Sequence, residues 1–387
     1  MSMESKFMKK LKPYVGVILL QFGSAGFAIV AKAALNQGTS HYTFAVYRNA
    51  IAALLFAPFA LFLERKTRPK MTFTIFLKIM LLGLLDPVFG QNLFYAGMNY
   101  TTATVTSAMC NLIPALTFLL AWILRLEIVN FKRIPSHAKI WGTVVTVGGA
   151  MIMTLIKGPV LGLPWTHESN NANSSSSANN TQDPVKGALM IGAGCLGYSL
   201  FYILQAHTLK TYPAGLSLTA LICTFGSLQG TVLTFMVERG NTSIWAVGWN
   251  AKLLAYVYGG IVSSGITYYV SGAIMKEKGP VFVTAFNPLS MVIVAVLSSF
   301  ILAEQMDVGK VTGAIVIVIG LYLVIWGKSR EQKEVMPITQ QQHKSESSIL
   351  ATKTSEADNT KDSQISASEA GELNDSHSKI ISGSEAV

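Results

Sequence analysis

Charged residues are scarce in this sequence, and their scarcity excludes most soluble proteins. Only 13% of the 387 residues are Asp, Glu, Lys or Arg, whereas soluble domains carry about 25%. Hydrophobic residues make up 51% of the chain, and the mean hydropathy is +0.43. Because so few charges cannot solvate a globular surface of this size, the composition predicts a polytopic membrane protein.

Cysteines and catalytic motifs are also rare or absent. Cys110, Cys195 and Cys223 lie in apolar segments without a Cys-x-x-Cys or Cys/His cluster, so we predict packing residues rather than a disulfide framework or a metal site. The sequence has no phosphate loop, no His-Glu-x-x-His and no Gly-x-Ser-x-Gly, which are the signatures of common ATPases and hydrolases. We therefore expect no enzyme, no catalytic residue, no cofactor and no nucleic-acid partner.

Long apolar runs are abundant instead. A helix that spans a bilayer needs about 20 mostly apolar residues, and ten segments meet that requirement. The sequence therefore predicts an all-α protein with ten membrane spans, at residues 13–33, 43–63, 75–97, 103–124, 138–157, 186–207, 216–237, 251–273, 281–302 and 310–327.

The distribution of Lys and Arg predicts the orientation of these spans. If the N-terminal segment 1–12 is inside, the inner connections carry 18 basic residues and the outer connections carry five. Basic residues accumulate on the cytosolic side, so we predict that both termini are cytosolic. No small-x-small cleavage site follows the first run, so we interpret it as a span and not as a signal peptide.

Two polar segments lie outside the spans. Residues 158–185 are rich in Asn and Ser and are predicted to form a non-cytosolic loop, whereas residues 328–387 have the composition of a disordered cytosolic tail. Asn173, Asn179 and Asn241 stand in Asn-x-Ser/Thr sequons on the non-cytosolic side. Such sequons also arise by chance in polar tracts, so glycosylation stays open.

The two halves of the chain, 13–157 and 186–327, resemble each other. Gly142 and Gly149 match Gly313 and Gly320 at one common offset, and Asn111-Leu-Ile-Pro114 corresponds to Asn287-Pro288. Each half has five spans, and because five is odd the second half enters the membrane inverted. Inverted repeats are typical of secondary transporters that work by alternating access.

Several motifs also carry a family resemblance. The chain contains Gln21-Phe-Gly, Tyr47-Arg-Asn49, Gln91-Asn-Leu-Phe-Tyr95 and Phe286-Asn-Pro-Leu289 in that order. They resemble the plant walls-are-thin-related or nodulin-like (UMAMIT) transporters, an EamA-type branch of the drug/metabolite transporter superfamily. The resemblance covers about residues 12–330. It implies ten helices in two inverted five-helix repeats, and passage of amino acids across the plasma or vacuolar membrane, with one branch carrying auxin.

Ionisable residues inside a membrane are costly and mark functional sites. Asp86 is the only acid near the middle of a predicted span, and Pro87 follows it. There are three alternative roles for Asp86: it titrates a proton, it contacts a substrate ammonium, or it has a purely structural role at the kink. Arg48 lies towards a span end, so it either reaches the interface or has a role within its Tyr-Arg-Asn motif.

Polar and aromatic residues in the middle of the spans are the predicted substrate ligands. An amino acid needs acceptors for its ammonium group and donors for its carboxylate. Hydrogen bonds between helices are the alternative role for each of these residues. The set consists of Gln21, Ser24, Asn92, Tyr95, Asn111, Thr117, Tyr198, Ser263, Tyr268 and Asn287.

Four further residues are candidates for moving parts. Pro114 and Pro288 occupy matching positions in spans four and nine, where a proline bends a helix, so each is a hinge or a static kink. Glu127 and Glu304 follow the same two spans and are predicted as gate residues or helix-end partners.

Two glycine stripes repeat every seven residues on one helix face, Gly142 and Gly149 in span five and Gly313, Gly320 and Gly327 in span ten. They predict close helix packing, either within one chain or in a homodimer.

The sequence therefore predicts a secondary transporter of amino acids or related small metabolites, facilitative and bidirectional, that uses no ATP. An auxin or other organic-acid carrier is the alternative within this class. A membrane receptor or scaffold that transports nothing is the alternative of another class. The expected partners are a small-molecule substrate and the lipid bilayer, in the plasma membrane or the vacuolar membrane.

Overall fold

A computed structural model gives the architecture of the chain. It describes most of the predicted membrane-spanning region, and all structural statements below refer to the part that it describes. The described residues are 3–36, 40–98, 100–101, 103–127, 132–156, 158–161, 184–238, 245, 251–301 and 306–331.

Within these residues the chain forms ten helical spans that are long and apolar enough to cross a membrane. The prediction of an all-α, ten-span, multi-pass membrane protein is confirmed. The spans, in chain order, contain the helices Met3–Asn36; His41–Leu63; Phe73–Gly83, Leu84–Gly90 and Gln91–Met98; Ala103–Cys110 and Ile113–Ile123; Ile134–Leu155; Pro184–Thr211; Gly215–Val237; Ala251–Tyr258, Gly259–Ile266 and Thr267–Lys278; Pro280–Ala285 and Asn287–Ile301; and Val308–Glu331.

Large apolar side chains cover the outside of the spans. Leu54, Phe62 and Leu189 expose 77%, 85% and 70% of their surface, which in water would be an unusually apolar exterior. Lipid is the solvent that accepts such a surface. A two-residue antiparallel ladder, Val160–Leu161 with Met306–Asp307, joins the connections next to spans five and ten.

Spans two and seven are tied together at both ends by glutamates. The carboxylate of Glu64, just after span two, accepts hydrogen bonds from the backbone N–H groups of Leu216 (3.0 Å) and Ser217 (2.7 Å) at the start of span seven. At the other end, Ser40 donates to Glu238 after span seven, at 3.2 Å. Glu64 thus satisfies backbone groups that a helix start leaves unpaired, whereas Glu238 accepts from a side-chain hydroxyl.

Spans five and ten pack backbone against backbone through the predicted glycine stripes. A Cβ atom added at Gly142 would lie 2.7 Å from the backbone nitrogen of Val324, and one at Gly149 would lie 2.7 Å from that of Ile317. These glycines therefore face another span of the same chain. Because the glycine stripes contact each other within one chain, they no longer support the prediction of a homodimer.

We expect this contact to make Gly149 and Gly148 respond oppositely to the same substitution. Gly149→Ala forces a methyl group into the contact between spans five and ten, and it should lower the free energy of unfolding by about 1–3 kcal/mol. A Cβ at Gly148 meets nothing within 4 Å, so Gly148→Ala should be neutral or slightly stabilising because alanine favours helix. Thermal unfolding of the two purified variants measures the difference, and equal melting temperatures would contradict the packing described here.

Four spans are irregular near their middles. Spans three and eight each contain a π-helical segment, Leu84–Gly90 and Gly259–Ile266, and such segments are frequent at functional sites. Span four is interrupted between Cys110 and Ile113, and span nine is interrupted at Phe286. The irregular segments of spans three, four and eight lie next to the cavity described below.

Several predicted features fall outside the described residues. They are the sequons at Asn173, Asn179 and Asn241, the gate candidate Glu304, most of the polar loop 158–185, and the tail after residue 331.

Candidate functional site

A cavity of about 220 Å³ lies among the spans. A space of this size suits one small solute. Spans one, two, three, four, six and eight form its wall. The lining residues are Ser24, Arg48, Asp86, Gly90, Gln91, Phe94, Tyr95, Cys110, Ile113, Gly194, Cys195, Tyr198, Ser263, Thr267 and Tyr268.

Asp86 provides a negative group in this wall. The π-helical segment of span three carries it into the protein, where only 3% of its surface is exposed. Its Oδ2 accepts a hydrogen bond of 2.5 Å from the hydroxyl of Tyr268 in span eight. Tyr268 is itself held by the side chain of Gln205, which donates to the Tyr268 carbonyl oxygen at 2.9 Å. The carboxylate is therefore fixed in place and still borders the cavity.

Arg48 provides a positive group in the same wall. It lies in span two with 4% of its surface exposed, and its guanidinium carbon lies 5.3 Å from the centre of the Phe27 ring. Close packing against span eight holds its stem, since a Cβ at Gly259 would lie 3.0 Å from the Arg48 Cδ. The Nε of Arg48 has no hydrogen-bond partner within the described residues. A buried donor without a partner is costly, so this group is suited to an anionic ligand.

Aromatic rings of spans three and six form another part of the wall. Phe94 and Tyr95 of span three pack edge to face, with ring centres 5.5 Å apart. The hydroxyl of Tyr198 in span six lies 3.1 Å from that of Tyr202. The cavity therefore combines one acid, one base, hydroxyl groups and apolar ring surface, which is the usual composition of a small-molecule site.

The structure brings six of the predicted residues together in this wall: Asp86 and the five candidate ligands Ser24, Tyr95, Tyr198, Ser263 and Tyr268. The other five candidate ligands, Gln21, Asn92, Asn111, Thr117 and Asn287, do not line it.

The positions of two of these five show what they do instead. The amide of Asn92 donates to the carbonyl oxygen of Val88 at 2.7 Å, one turn earlier in span three. The amide of Asn111 donates to the hydroxyl of Thr154 at 3.3 Å and so connects span four to span five. The Asn111 contact is the alternative role considered for it, a hydrogen bond between helices, whereas the Asn92 contact stays within span three.

Sequence reasoning omitted several lining residues from the predicted ligands. The Tyr-Arg-Asn motif indicated a functional role for Arg48. The position of Arg48 near a span end, however, was equally compatible with a side chain that reaches the membrane interface. Gln91 and Phe94 stand beside two predicted ligands in one motif. Cys110 and Cys195 were treated as packing residues, and nothing in their sequence context distinguishes them from Cys223.

The gate candidate Glu127 forms a buried charged cluster with two lysines. Its Oε1 accepts hydrogen bonds from the ammonium groups of Lys139 and Lys328, both at 2.7 Å. Burial alone would raise the pKa of Glu127, but the charges of Lys328 and Lys139 outweigh burial and hold it below its usual range. The cluster connects the end of span four to spans five and ten.

We expect Glu127→Gln to destabilise the protein far more than Lys139→Met. The first change removes the carboxylate that both ammonium groups contact, and breaking a buried ion pair costs about 3–5 kcal/mol. Lys139→Met still leaves the Glu127 carboxylate paired with the ammonium group of Lys328. Melting temperatures of the purified variants measure this difference, and a Glu127→Gln protein as stable as the unchanged chain would contradict it.

The same cluster has a definite pH dependence. Because the pKa of Glu127 is lowered by folding, its contribution is present at neutral pH and is lost as the pH falls below the unfolded value of 4.5. The extra stability of the unchanged chain over Glu127→Gln should therefore shrink at acid pH.

The two proline candidates stand just after the breaks in their spans. Pro114 is in the first turn of Ile113–Ile123, and Pro288 is in the first turn of Asn287–Ile301. A proline is well tolerated in a first turn because the N–H that it lacks has no partner there. The bends predicted in spans four and nine are therefore interruptions of the helix, and their movement stays a prediction.

Comparison with known proteins gives the family. The model of the EamA-like transporter family matches residues 11–155 and 185–326. A WAT1-related protein of Arabidopsis thaliana is 58% identical over 84% of this chain and 87% of its own length. Another WAT1-related protein of Arabidopsis thaliana is 53% identical over 94% of both chains.

A solved crystal structure supports the fold. It superposes with a TM-score of 0.61 over 81% of this chain and 97% of its own, at 13% identity. The family-model match, together with the identity to the two plant relatives, shows a membrane transporter and not an enzyme. The chain belongs to the EamA-like transporter family, as a plant WAT1-related (UMAMIT) member of the drug/metabolite transporter superfamily.

Proposed function

We propose that the protein is a secondary carrier of α-amino acids. The observation that carries this proposal is that Asp86 and Arg48, an acid and a base, line one small cavity. An amino acid at neutral pH is a zwitterion with both charges close together. A site with one buried group of each sign complements that charge pattern and leaves no charge of the ligand unpaired.

Each charged group has a distinct role in this proposal. The guanidinium of Arg48 binds the substrate carboxylate, because its planar fork matches a carboxylate and forms two charge-assisted hydrogen bonds. The Asp86 carboxylate accepts a hydrogen bond from the substrate ammonium, while Tyr268 keeps its second oxygen oriented. Phe94, Tyr95 and Ile113 are the apolar surface that meets the substrate side chain.

Alternating access requires parts of the wall to move. Spans three, four and eight border the cavity and are irregular near it. A helix that is already interrupted bends there without breaking further hydrogen bonds. In this proposal, the breaks before Pro114 and Pro288 are the hinges and Glu127 closes one end. Both termini face the cytosol, and the membrane is the plasma membrane, with the vacuolar membrane as the alternative.

An auxin or other organic-acid carrier is the second candidate. Arg48 and the aromatic wall favour it, because an aromatic acid needs only a cation for its carboxylate and ring surface for its body. The two candidates differ in Asp86. A buried carboxylate opposes an organic anion by repulsion, whereas a zwitterion uses it.

The test is efflux of labelled neutral amino acids from oocytes that express the full chain, at two external pH values. We expect efflux above that of control oocytes. Unlabelled amino acid should compete, whereas its methyl ester and its N-acetyl derivative, which each lack one charge, should not. Equal competition by a deaminated acid or an indole acetate would favour the organic-acid carrier, and no movement of any solute despite surface expression would favour the receptor.

A further inference from the structure

Two cysteines from different spans meet in the cavity wall. Cys110 ends the helix Ala103–Cys110 in span four, and Cys195 lies in span six; both line the cavity. The side chains share one apolar cluster, in which the two thiols are within interaction distance. The Sγ of Cys195 lies 3.6 Å from the carbonyl oxygen of Met109, next to Cys110. Both cysteines are free thiols.

Packing alone does not account for this placement. Cys223 shows what a packing cysteine looks like here, since it is fully buried in the main core and does not line the cavity. Cys110 and Cys195, by contrast, face the same space and each other. A disulfide requires Cβ atoms about 3.8 Å apart, so a bond here requires that these two side chains, which share one apolar cluster, approach to that separation.

We propose that Cys110 and Cys195 form an oxidisable dithiol, which peroxides convert to a disulfide that ties span four to span six and stops transport. One thiol loses its proton, and its sulfur attacks a peroxide oxygen. The O–O bond breaks, which gives a sulfenic acid and a hydroxide that takes up the proton as water. The second sulfur then displaces the hydroxyl group of the sulfenic acid, and that group leaves with the second thiol proton as water.

The reaction balances without a further reagent. The two thiols together lose two electrons and two protons, and hydrogen peroxide is reduced to two molecules of water. Hydrogen peroxide is small and uncharged, so it enters a cavity that admits a small solute. Thiol reductants reverse the step, and a reducing compartment keeps the dithiol reduced.

The position of the bond explains why it would stop transport. Cys110 is the last residue before the interruption at Asn111 and Leu112 in span four. Span six is packed tightly against span three, because a Cβ at Gly194 would lie 2.9 Å from the carbonyl oxygen of Gly90. A disulfide would therefore tie the interrupted part of span four to span six, and it would stand in the cavity wall itself.

The covalent step is tested by counting free thiols in the purified full chain. The protein is treated with hydrogen peroxide, unfolded, labelled with a maleimide and weighed by mass spectrometry. The reduced chain should take three labels, one for each cysteine, and the oxidised chain should take one. Cys223→Ser should lose the same two labels on oxidation, whereas Cys110→Ser and Cys195→Ser should form no intramolecular disulfide. An oxidised chain that keeps all three thiols, or that joins Cys223, overturns the proposal.

The consequence for transport is tested in oocytes or proteoliposomes. Peroxide should remove most of the transport by the unchanged chain and by Cys223→Ser, and dithiothreitol should restore it. Peroxide should not change the transport rate of Cys110→Ser or Cys195→Ser from the rate that the same variant shows before treatment; Cys195→Ala serves if the serine variant fails to reach the membrane. Equal inhibition of Cys110→Ser and the unchanged chain overturns the switch. The thiol count needs no substrate, so failure of the amino-acid proposal would leave it unaffected.

Discussion

Replacement of Arg48 by glutamine is expected to lower amino-acid transport at low substrate concentration about 100-fold. The change removes two charge-assisted hydrogen bonds to the substrate carboxylate, which together contribute about 3 kcal/mol. Arg48→Lys keeps the charge but not the planar fork, so we expect it to recover only part of the transport. Initial rates of labelled amino-acid uptake over a range of substrate concentrations measure the effect.

Arg65→Gln is the matched control for this experiment. Arg65 is exposed after the end of span two and does not line the cavity, so the same substitution there should leave transport unchanged. Surface biotinylation shows whether each variant reaches the membrane. If Arg48→Gln reached the surface and transported at the rate of Arg65→Gln, Arg48 would have no role in substrate binding.

Replacement of Asp86 by asparagine is expected to separate the two candidate substrates. An asparagine still accepts the hydrogen bond from Tyr268, but it lacks the charge that binds an ammonium group. Loss of one partner of a buried charge pair costs about 2–5 kcal/mol, so transport of amino acids should fall at least tenfold. Transport of a deaminated acid should not fall, because repulsion by the carboxylate is removed.

Asp307→Asn is the control for Asp86→Asn. The Asp307 carboxylate accepts a hydrogen bond from the Lys310 backbone N–H at 2.8 Å, at the start of span ten, and asparagine caps a helix start about equally well. We therefore expect no change of transport in this variant. An Asp86→Asn protein that kept its amino-acid rate and its pH profile would remove Asp86 from the mechanism.

The ten spans were predictable from sequence because a bilayer sets one simple requirement. A run of about 20 apolar residues satisfies it whatever its neighbours are, so each span can be found in isolation. The same is true of the glycine stripes, since the seven-residue spacing of Gly142 and Gly149 puts them on one helix face. The sequence did not determine which helix these glycines pack against, and the structure shows that it is span ten of the same chain.

The site was predictable only in part, because lining a cavity depends on how a helix is rotated. Asn92 and Tyr95 are three residues apart in one motif, yet Tyr95 borders the cavity and Asn92 donates to its own helix. Hydrophobic pattern does not fix that rotation when all faces of a span are apolar. Arg48 shows the same limit, since its place near a span end fits the interface as well as the cavity.

The sequence by itself determined the number and length of the spans, the membrane-protein class and the family motifs, because these depend on local composition and on order along the chain. Tertiary structure alone decided which polar groups meet. Asp86 and Tyr268 are far apart in sequence, and so are Cys110 and Cys195. Each of these contacts joins residues of two different spans, so it depends on how the spans pack against each other, and no fixed sequence spacing encodes it.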